Sequence, residues 1–437
     1  MLTPLKNRIF RHMFTAQLVA LLGTGLATVA LGLLAWHLAG DDAGQVLGAA
    51  LAIKMVAYVF LAPVAAAVAQ RLPRRAFLVT LDLIRAGVVL FLPFVTEVWQ
   101  IYVLIFTLQA ASAGFTPAFQ ATIPDVLPNE RDYTNALSLM RLTEDLEQIA
   151  SPLAAAALLT VVSFPVLFAG TVVGFLLSAL MIATVAFPPR TPSAVDRFWA
   201  STTQGLRIYL ATPRLRGLML MEGAVAAAGA MVFVNTVVLV QARFGLGEPQ
   251  VALAFAAFGA GSMLAAVALP KILERVDDRT VMLSGAGLMV ACVALTPLAA
   301  GLWELMAFWS LIGFGFACTQ VPIGRILTRS AREQDRTAVF AAQFALSHAC
   351  WLVTYPLAGW LGAAFGLPSA AFGLGALGAV AMVAVLWLWP AQDPETLEHD
   401  HPDLPADHPH MLAHANYHSH AFMIDDLHQQ WPRTKTH

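Results

Sequence analysis

Three acids in four positions, Glu144, Asp145 and Glu147, interrupt an apolar stretch of this 437-residue chain. Ionisable groups inside a membrane are costly and by default mark a solute or proton pathway. On a helix, Glu144, Glu147, Gln148 and Ser151 fall at i, i+3, i+4 and i+7 and share one stripe, while Asp145 lies four residues after Arg141 and can pair with it. Carboxylate oxygens suit a divalent cation and must be deprotonated to bind it, so such a site would couple metal export to proton entry. The plainer reading is that Arg141 neutralises one acid and the others face water without touching a solute. Three acids exceed what one arginine offsets, which favours the pathway.

A second group lies at the end of the chain. Residues 391–437 hold nine of the twelve histidines: His399, His401, His408, His410, His414, His418, His420, His428 and His437. They are interspersed with Asp400, Asp403 and Asp407, unlike an expression tag, and include the H-x-H pairs 399/401, 408/410 and 418/420. Short histidine-rich tracts read as metal-binding, and imidazole suits nickel, copper, zinc and iron. The segment has no sustained apolar period, so it reads as a flexible antenna beside the membrane.

Isolated polar residues complete the candidates. His348, within a late apolar segment, is either a ligand and proton carrier or a satisfied core histidine. Lys54 is either a countercharge in the pathway or a snorkelling or paired lysine. Asp82 and Arg85, spaced i, i+3, read as an internal salt bridge. Glu222 and Asn235, with Gln109, Ser112, Thr116 and Gln320, either line an access path or hold helices together. His37 with Asp41 and Asp42 reads as an ordinary solvated loop, or as a weak release site.

These residues need elements to position them. With 58% hydrophobic and 12% charged residues and a mean hydropathy of +0.70, the chain cannot hide its apolar surface in one aqueous core. Apolar runs of about twenty residues recur and predict twelve membrane-spanning helices. The first six are Phe14–Trp36, Val46–Ala69, Phe77–Val98, Ile101–Ile123, Asn135–Val161 and Val166–Phe187. The second six are Leu218–Gln241, Val251–Leu273, Val281–Ala300, Leu302–Ile323, Thr337–Ala364 and Ser369–Trp389. The organisation expected is therefore a six-helix half over 1–187, a linker over 188–216 with a short surface helix, a second half over 217–390, and the tail over 391–437.

Even-numbered junctions are basic (Arg71, Arg74 and Arg75, then Arg131, Arg190 to Arg216, Lys271 to Arg279, Arg325 to Arg336), whereas odd ones carry almost no positive charge. The positive-inside rule then puts the basic end and both termini in the cytoplasm. The cysteines Cys292, Cys318 and Cys350 show no CxxC spacing, and neither a cofactor nor a disulfide framework is indicated. A net charge of −2 gives no reason to expect nucleic acid. No nucleotide loop, HExxH or nucleophile motif points to an enzyme. The partners expected are membrane lipid, the transported solute and protons, with the monomer as functional unit.

The halves align on Ala66–Arg75 (AAVAQRLPRR) and Pro270–Arg279 (PKILERVDDR), an offset of 204 residues that also takes Pro152 to Pro356. Two six-span halves in parallel repeat resemble the major facilitator superfamily, an all-α membrane fold with its substrate path between the halves. Its gating-loop signature, G-x-x-x-D-R-x-G-R-R, is matched at Arg71, Arg74 and Arg75 and, in the second half, by Glu274 and Arg275. Ala66, Gln70 and Pro73 depart from it, which puts the first half's usual charge relay in question. The run Gly114–Leu142 is similar to the drug-efflux branch that includes macrolide exporters. Glu144–Pro152 (EDLEQIASP) and His420–Pro432 (HAFMIDDLHQQWP) resemble nickel-resistance permeases. That resemblance implies proton-coupled efflux of nickel or cobalt across a bacterial inner membrane. Multidrug or macrolide-type efflux is the alternative, and a metal sensor without transport is a third reading that no signalling segment supports.

Overall fold

The computed structural model describes residues 3–61, 72–120, 122–187, 197–332, 335–391, 393, 396–400, 417–424, 428 and 431. The first half contains α1 (Arg8–Ala39), α2 (Ala43–Val56) continued by a π-helical turn (Ala57–Leu61), α3 (Arg74–Phe91), α4 (Val98–Gln120), the short α5 (Ile123–Val126), α6 (Glu130–Leu158) and α7 (Pro165–Ala183). The linker forms α8 (Arg197–Ala211). The second half contains α9 (Pro213–Val238), α10 (Glu248–Ile272), α11 (Asp278–Leu295), α12 (Leu302–Gln320), the short α13 (Ile323–Ser330), α14 (Arg336–Phe365) and α15 (Leu367–Leu388).

Ten stretches among the described residues are long and apolar enough to cross a membrane. One, Arg8–Leu61, holds both α1 and α2, and the charges of α6 keep that helix out of the set. Separating the first and adding α6 gives the twelve spans expected. The helices also outrun the apolar segments. The fifth starts at Glu130 rather than Asn135 and the seventh at Pro213 rather than Leu218, because intrahelical bonds continue where the chain meets polar surroundings.

The repeat is visible in the packing. Within the first half, α1 lies on α6 and α7, and α3 on α4 and α7. Eight labels on, α9 lies on α14 and α15, and α11 on α12 and α15. The contacts between halves obey the same symmetry, α2 against α14 and α6 against α10. Pro152 in α6 and Pro356 in α14 each remove one backbone bond at the equivalent place.

Where the halves touch, side chains are missing. Gly44 and Gly48 lie one turn apart on α2, and a Cβ on Gly48 would stand 2.5 Å from the Tyr355 carbonyl oxygen of α14. One on Gly359 would overlap the Gly44 carbonyl oxygen, so the backbones are in contact. Val29, Leu33, Val46 and Leu47 of the first half share one apolar core with Val234, Val237, Tyr355 and Ala358 of the second. Toward the basic end the cores separate, into one around Phe10, Met13, Phe115 and Phe119 and another around Leu218, Met221, Val339 and Trp389. The two halves therefore meet at the end with the acid-bearing junctions and part toward the basic end.

The tail differs from the flexible antenna expected. Asp393 accepts hydrogen bonds from Arg214 (3.1 Å), Arg329 (2.6 Å) and the Trp389 indole (3.2 Å). The strands β1 (Thr396–Asp400) and β2 (Tyr417–Ala421) then pair antiparallel, and Phe422, Ile424 and Trp431 join the core of Leu218 and Trp389. Arg214 also lies over the Trp431 ring at 5.3 Å. The described tail residues are docked because widely spaced apolar residues, invisible to a periodicity analysis, find one surface. The α8 helix likewise rests on α14, burying Ile208 and Tyr209 while Leu206 and Leu210 stay exposed.

Replacing Gly359 by Leu should hold the end with the acid-bearing junctions open. Val238, 5% exposed beside Gly44, supplies the reporter: in a background free of the three native cysteines, Val238→Cys should react slowly with an impermeant maleimide and about tenfold faster once Gly359→Leu is added. Equal rates would remove the glycine contact as the closure.

Candidate functional site

At mid-depth in the first half, α1, α2, α3, α4 and α7 enclose a cavity of about 100 Å³. Lys54, Tyr58, Arg85, Gln109, Ser112 and Thr116 are among the residues lining it, and none of the lining residues is an acid. Arg85 is fixed by Asp82, and its Cζ stands over the rings of Phe115 and Phe175, 3.9 and 4.5 Å from their centroids. Ser178 donates to the second oxygen of Asp82 at 2.7 Å, so the expected i, i+3 pair is present with both oxygens of that carboxylate bonded. Lys54 Nζ stands 5.9 Å from the Tyr58 ring, which belongs to the π turn. π turns are rare and concentrate at functional sites.

His348, on α14, faces this region from the other half, its ring 5.9 Å from that of Tyr58 and 3.9 Å from that of Phe344. Its Nδ1 lies 2.7 Å from the Phe344 carbonyl oxygen. A carbonyl only accepts, so Nδ1 carries the hydrogen and Nε2 keeps a lone pair in the neutral ring. The structure thus joins Lys54, Gln109, Ser112 and Thr116 in one cavity and brings His348 to its edge.

Of the acidic stripe, Glu147 is described, and it lies where α6 crosses α1. A Cβ on Gly25 would overlap both Glu147 Oε1 and Ser151, while Ser151 donates to the Leu22 carbonyl at 3.3 Å. The side chains of Glu144, Asp145 and Gln148 lie outside the described residues. Glu222 does not line an open path. It is 3% exposed and accepts from the amides of Gln320 and Gln343 at 3.2 Å each. Tyr209 of the linker helix donates to the oxygen of the same Gln343 amide, which completes a chain from linker to buried carboxylate. Asn235 is also buried and donates to the Ala358 carbonyl at 3.2 Å, joining α9 to α14 within the second half, and its Oδ1 sits where a Cβ on Gly44 or Gly362 would stand. It holds helices together.

The basic loops form matched clasps. Arg71 lies outside the described residues and Arg75 is exposed, but Arg74 is buried and binds Asp125 of α5 at 2.6 Å. The 204-residue offset carries Arg74 onto Asp278, which pairs with Arg325 of α13 at 3.5 Å. The same two elements are thus tied in each half with the charges exchanged. Glu274 and Arg275, the residues matching the gating signature, are exposed and take no part in an ion pair among the described residues. Asp125, Tyr209, Gln343 and Asp393 were not singled out from the sequence. Only Asp125 had a readable signal, since the offset places it opposite Arg329, one turn beyond Arg325, which holds Asp278.

In the tail, the strand register sets His399 opposite His418 and Leu397 opposite His420, although the side chains of those three histidines lie outside the described residues. His401, His408, His410 and His414 lie outside them altogether. His428 is 6% exposed and stands edge-on to Phe422, so a metal could reach it only after the tail undocks. Among the described residues no three His, Cys, Asp or Glu converge on a metal position.

The sequence profile described as Major Facilitator Superfamily matches residues 13–238 and again 218–409. No curated protein matches the sequence. Among solved structures, a bacterial homologue of the human lysosomal transporter Spinster, inward-facing and unoccupied, superposes with a TM-score of 0.69 at 14% identity, over 88% of this chain and 96% of that one. The nucleoside transporter NupG gives 0.67 at 13% identity, over 88% and 100%. A POT family transporter in complex with a thioalcohol-conjugated peptide gives 0.68 at 11%, over 86% and 95%. At these identities the likeness is one of fold.

The exchanged clasps can be tested by reversal. Arg74→Asp and Asp125→Arg should each slow transport, and together they should restore it, because the second half already runs the pair in that order. The four-variant cycle should give a coupling of about 1 kcal/mol, within the usual range for contacting residues. A double variant no better than the worse single one would contradict the equivalence.

Proposed function

The chain belongs to the major facilitator superfamily, and from that premise we propose that it is a proton-coupled exporter of a divalent transition metal, nickel or cobalt, acting across the cytoplasmic membrane with its basic end inward. That it is a membrane transporter rather than an enzyme follows from family and fold. What carries the metal reading is the tail, where nine of twelve histidines fall in residues 391–437. The Asp393 clasp tethers this segment beside the widening between the halves, and opposed strand positions such as 399 and 418 stand about 5 Å apart. A tethered ligand set raises the local concentration of what it carries.

Glu222 supports proton coupling. It is buried on a core helix with neutral hydrogen-bond partners and no cationic one among the described residues. Such a carboxylate can exchange a proton without breaking an ion pair. Glu147, at the α1–α6 crossing, is a second carrier in this reading. As the halves swing, protons entering from outside would displace the cation, and its departure would reset the carboxylates.

The second reading, efflux of an organic solute, is favoured by one observation: the first-half cavity is lined by Lys54 and by the Asp82-paired Arg85, and by no acid among the described residues. A bare divalent ion would be repelled there.

Inside-out vesicles with an acidic lumen should accumulate nickel, and a protonophore should abolish the uptake. Nickel uptake that ignores the gradient would exclude proton coupling. In the same vesicles, Glu222→Gln should lose gradient-driven accumulation while keeping exchange of nickel for nickel, and equal loss of both would make Glu222 structural. Truncating the tail would also remove Phe422, Ile424 and Trp431 from the core, so the tail is better probed by replacing His399, His401, His408, His410, His414, His418 and His420 with Asn. That variant should raise the half-saturating nickel concentration several-fold and leave the maximal rate near normal. The benefit of the histidines should fade below about pH 6.5, where imidazole protonates and ceases to bind metal.

A further inference from the structure

The cavity in the first half holds an unanswered charge. Lys54 forms no ion pair among the described residues, and its nearest recorded partner is the face of Tyr58. The Arg85 side chain is 8% exposed, one terminal nitrogen is committed to Asp82, and its buried Nε–H has no acceptor. Asp82, at 0% exposure, is bonded by Arg85 on one oxygen and Ser178 on the other, and among the described residues no ion pair joins it to Lys54. Around the two cations stand neutral hydrogen-bonding groups, Gln109, Ser112 and Thr116. An ammonium with no acid beside it among the described residues and a guanidinium lining one polar space in a membrane are a strong bias toward an anion.

We propose that this cavity is the subsite for a carboxylate carried by the transported solute, held between Lys54 Nζ and the Arg85 guanidinium. A space of about 100 Å³ holds roughly three waters' share of volume, enough for a carboxylate head group, with the remainder of the solute lying past Tyr58 toward His348. Planar guanidinium and carboxylate match in geometry, and the two rings stacked on Arg85 keep it from turning away. The inference rests on transport by this chain and not on the identity of a metal. Two sources supply the same chemistry: a free organic acid, or the anionic chelate such an acid forms around a divalent metal. The second would let a cationic cavity and a histidine-rich tail serve one substrate.

The test uses the full-length protein in liposomes with radiolabelled citrate as probe, without and with nickel. Saturable citrate binding is expected, weakened at least tenfold by Lys54→Gln, largely kept by Lys54→Arg, and unchanged by Lys271→Gln, which removes an exposed cation. Arg85→Gln serves as a second variant where its circular dichroism matches wild type. Binding of citrate alone identifies the free acid as sufficient, and binding only with nickel identifies the chelate; either supports the subsite. No citrate binding in either form, or equal binding by Lys54→Gln, overturns it. Nickel uptake at full rate by Lys54→Gln in carboxylate-free buffer would overturn the subsite while leaving metal export standing. Citrate uptake without nickel uptake would do the reverse.

Discussion

The contact between Gly44, Gly48 and Gly359 governs how the two halves can behave. In a bilayer no hydrophobic force draws helices together, so association depends on close packing and on hydrogen bonds between them. Here the backbones of α2 and α14 touch directly, and Asn235 of α9 fills the space beside Gly44 while its amide bonds the Ala358 carbonyl within the second half. Such a contact is specific but gives way without stranding a buried charge. It can close one end of the molecule in one state and release it in another. Lys54 and Tyr58 lie further along the same α2, so any rolling of α2 against α14 also changes the edge that the cavity presents to His348.

Charge is arranged to the same end. Asp82–Arg85 and Arg74–Asp125 lie within the first half, whereas Asp278–Arg325 and Arg214–Asp393 lie within the second half and its tail. Each half is thereby stiffened as a body. Among the described residues the acid–base contact that crosses between halves is His37–Glu248 at 3.1 Å, an ion pair when the imidazole is protonated, with side chains 51% and 26% exposed. An exposed pair of this kind is worth about 0–1 kcal/mol, too little to resist opening. The buried Glu222 network, by contrast, ties the linker helix to α9, α12 and α14 through neutral hydrogen-bond partners.

The spans were legible because the bilayer forces every backbone group into a helix, which makes apolar length and loop charge nearly sufficient. Even α6, with its seven charged residues between Glu130 and Glu147, was legible from the helices around it. The Asp82–Arg85 pair was legible from spacing alone. The docked tail was not, because Leu397, Phe422, Ile424 and Trp431 follow no helical or strand period and are united by a surface built from α9, α13 and α15. The clasps were half legible: the signature pointed to Arg74, but its partner Asp125 emerges only when the repeat is read for charge reversal. The basic cavity was hidden because Lys54 and Arg85 sit on different helices, and sequence spacing carries no information about which faces converge.

Alternating access is most directly tested by two distances in one sample. Spin labels at Asp41 and Glu304 report the end with the acid-bearing junctions, and labels at Arg75 and Glu274 report the basic end; all four positions are exposed. With nickel citrate added at low pH, pulsed dipolar spectroscopy should show a second population in which the first distance lengthens as the second shortens. Gly359→Leu should enrich that population without ligand. A single unchanged distance at both ends under every condition, or both distances lengthening together, would contradict two rigid halves rocking about a central site.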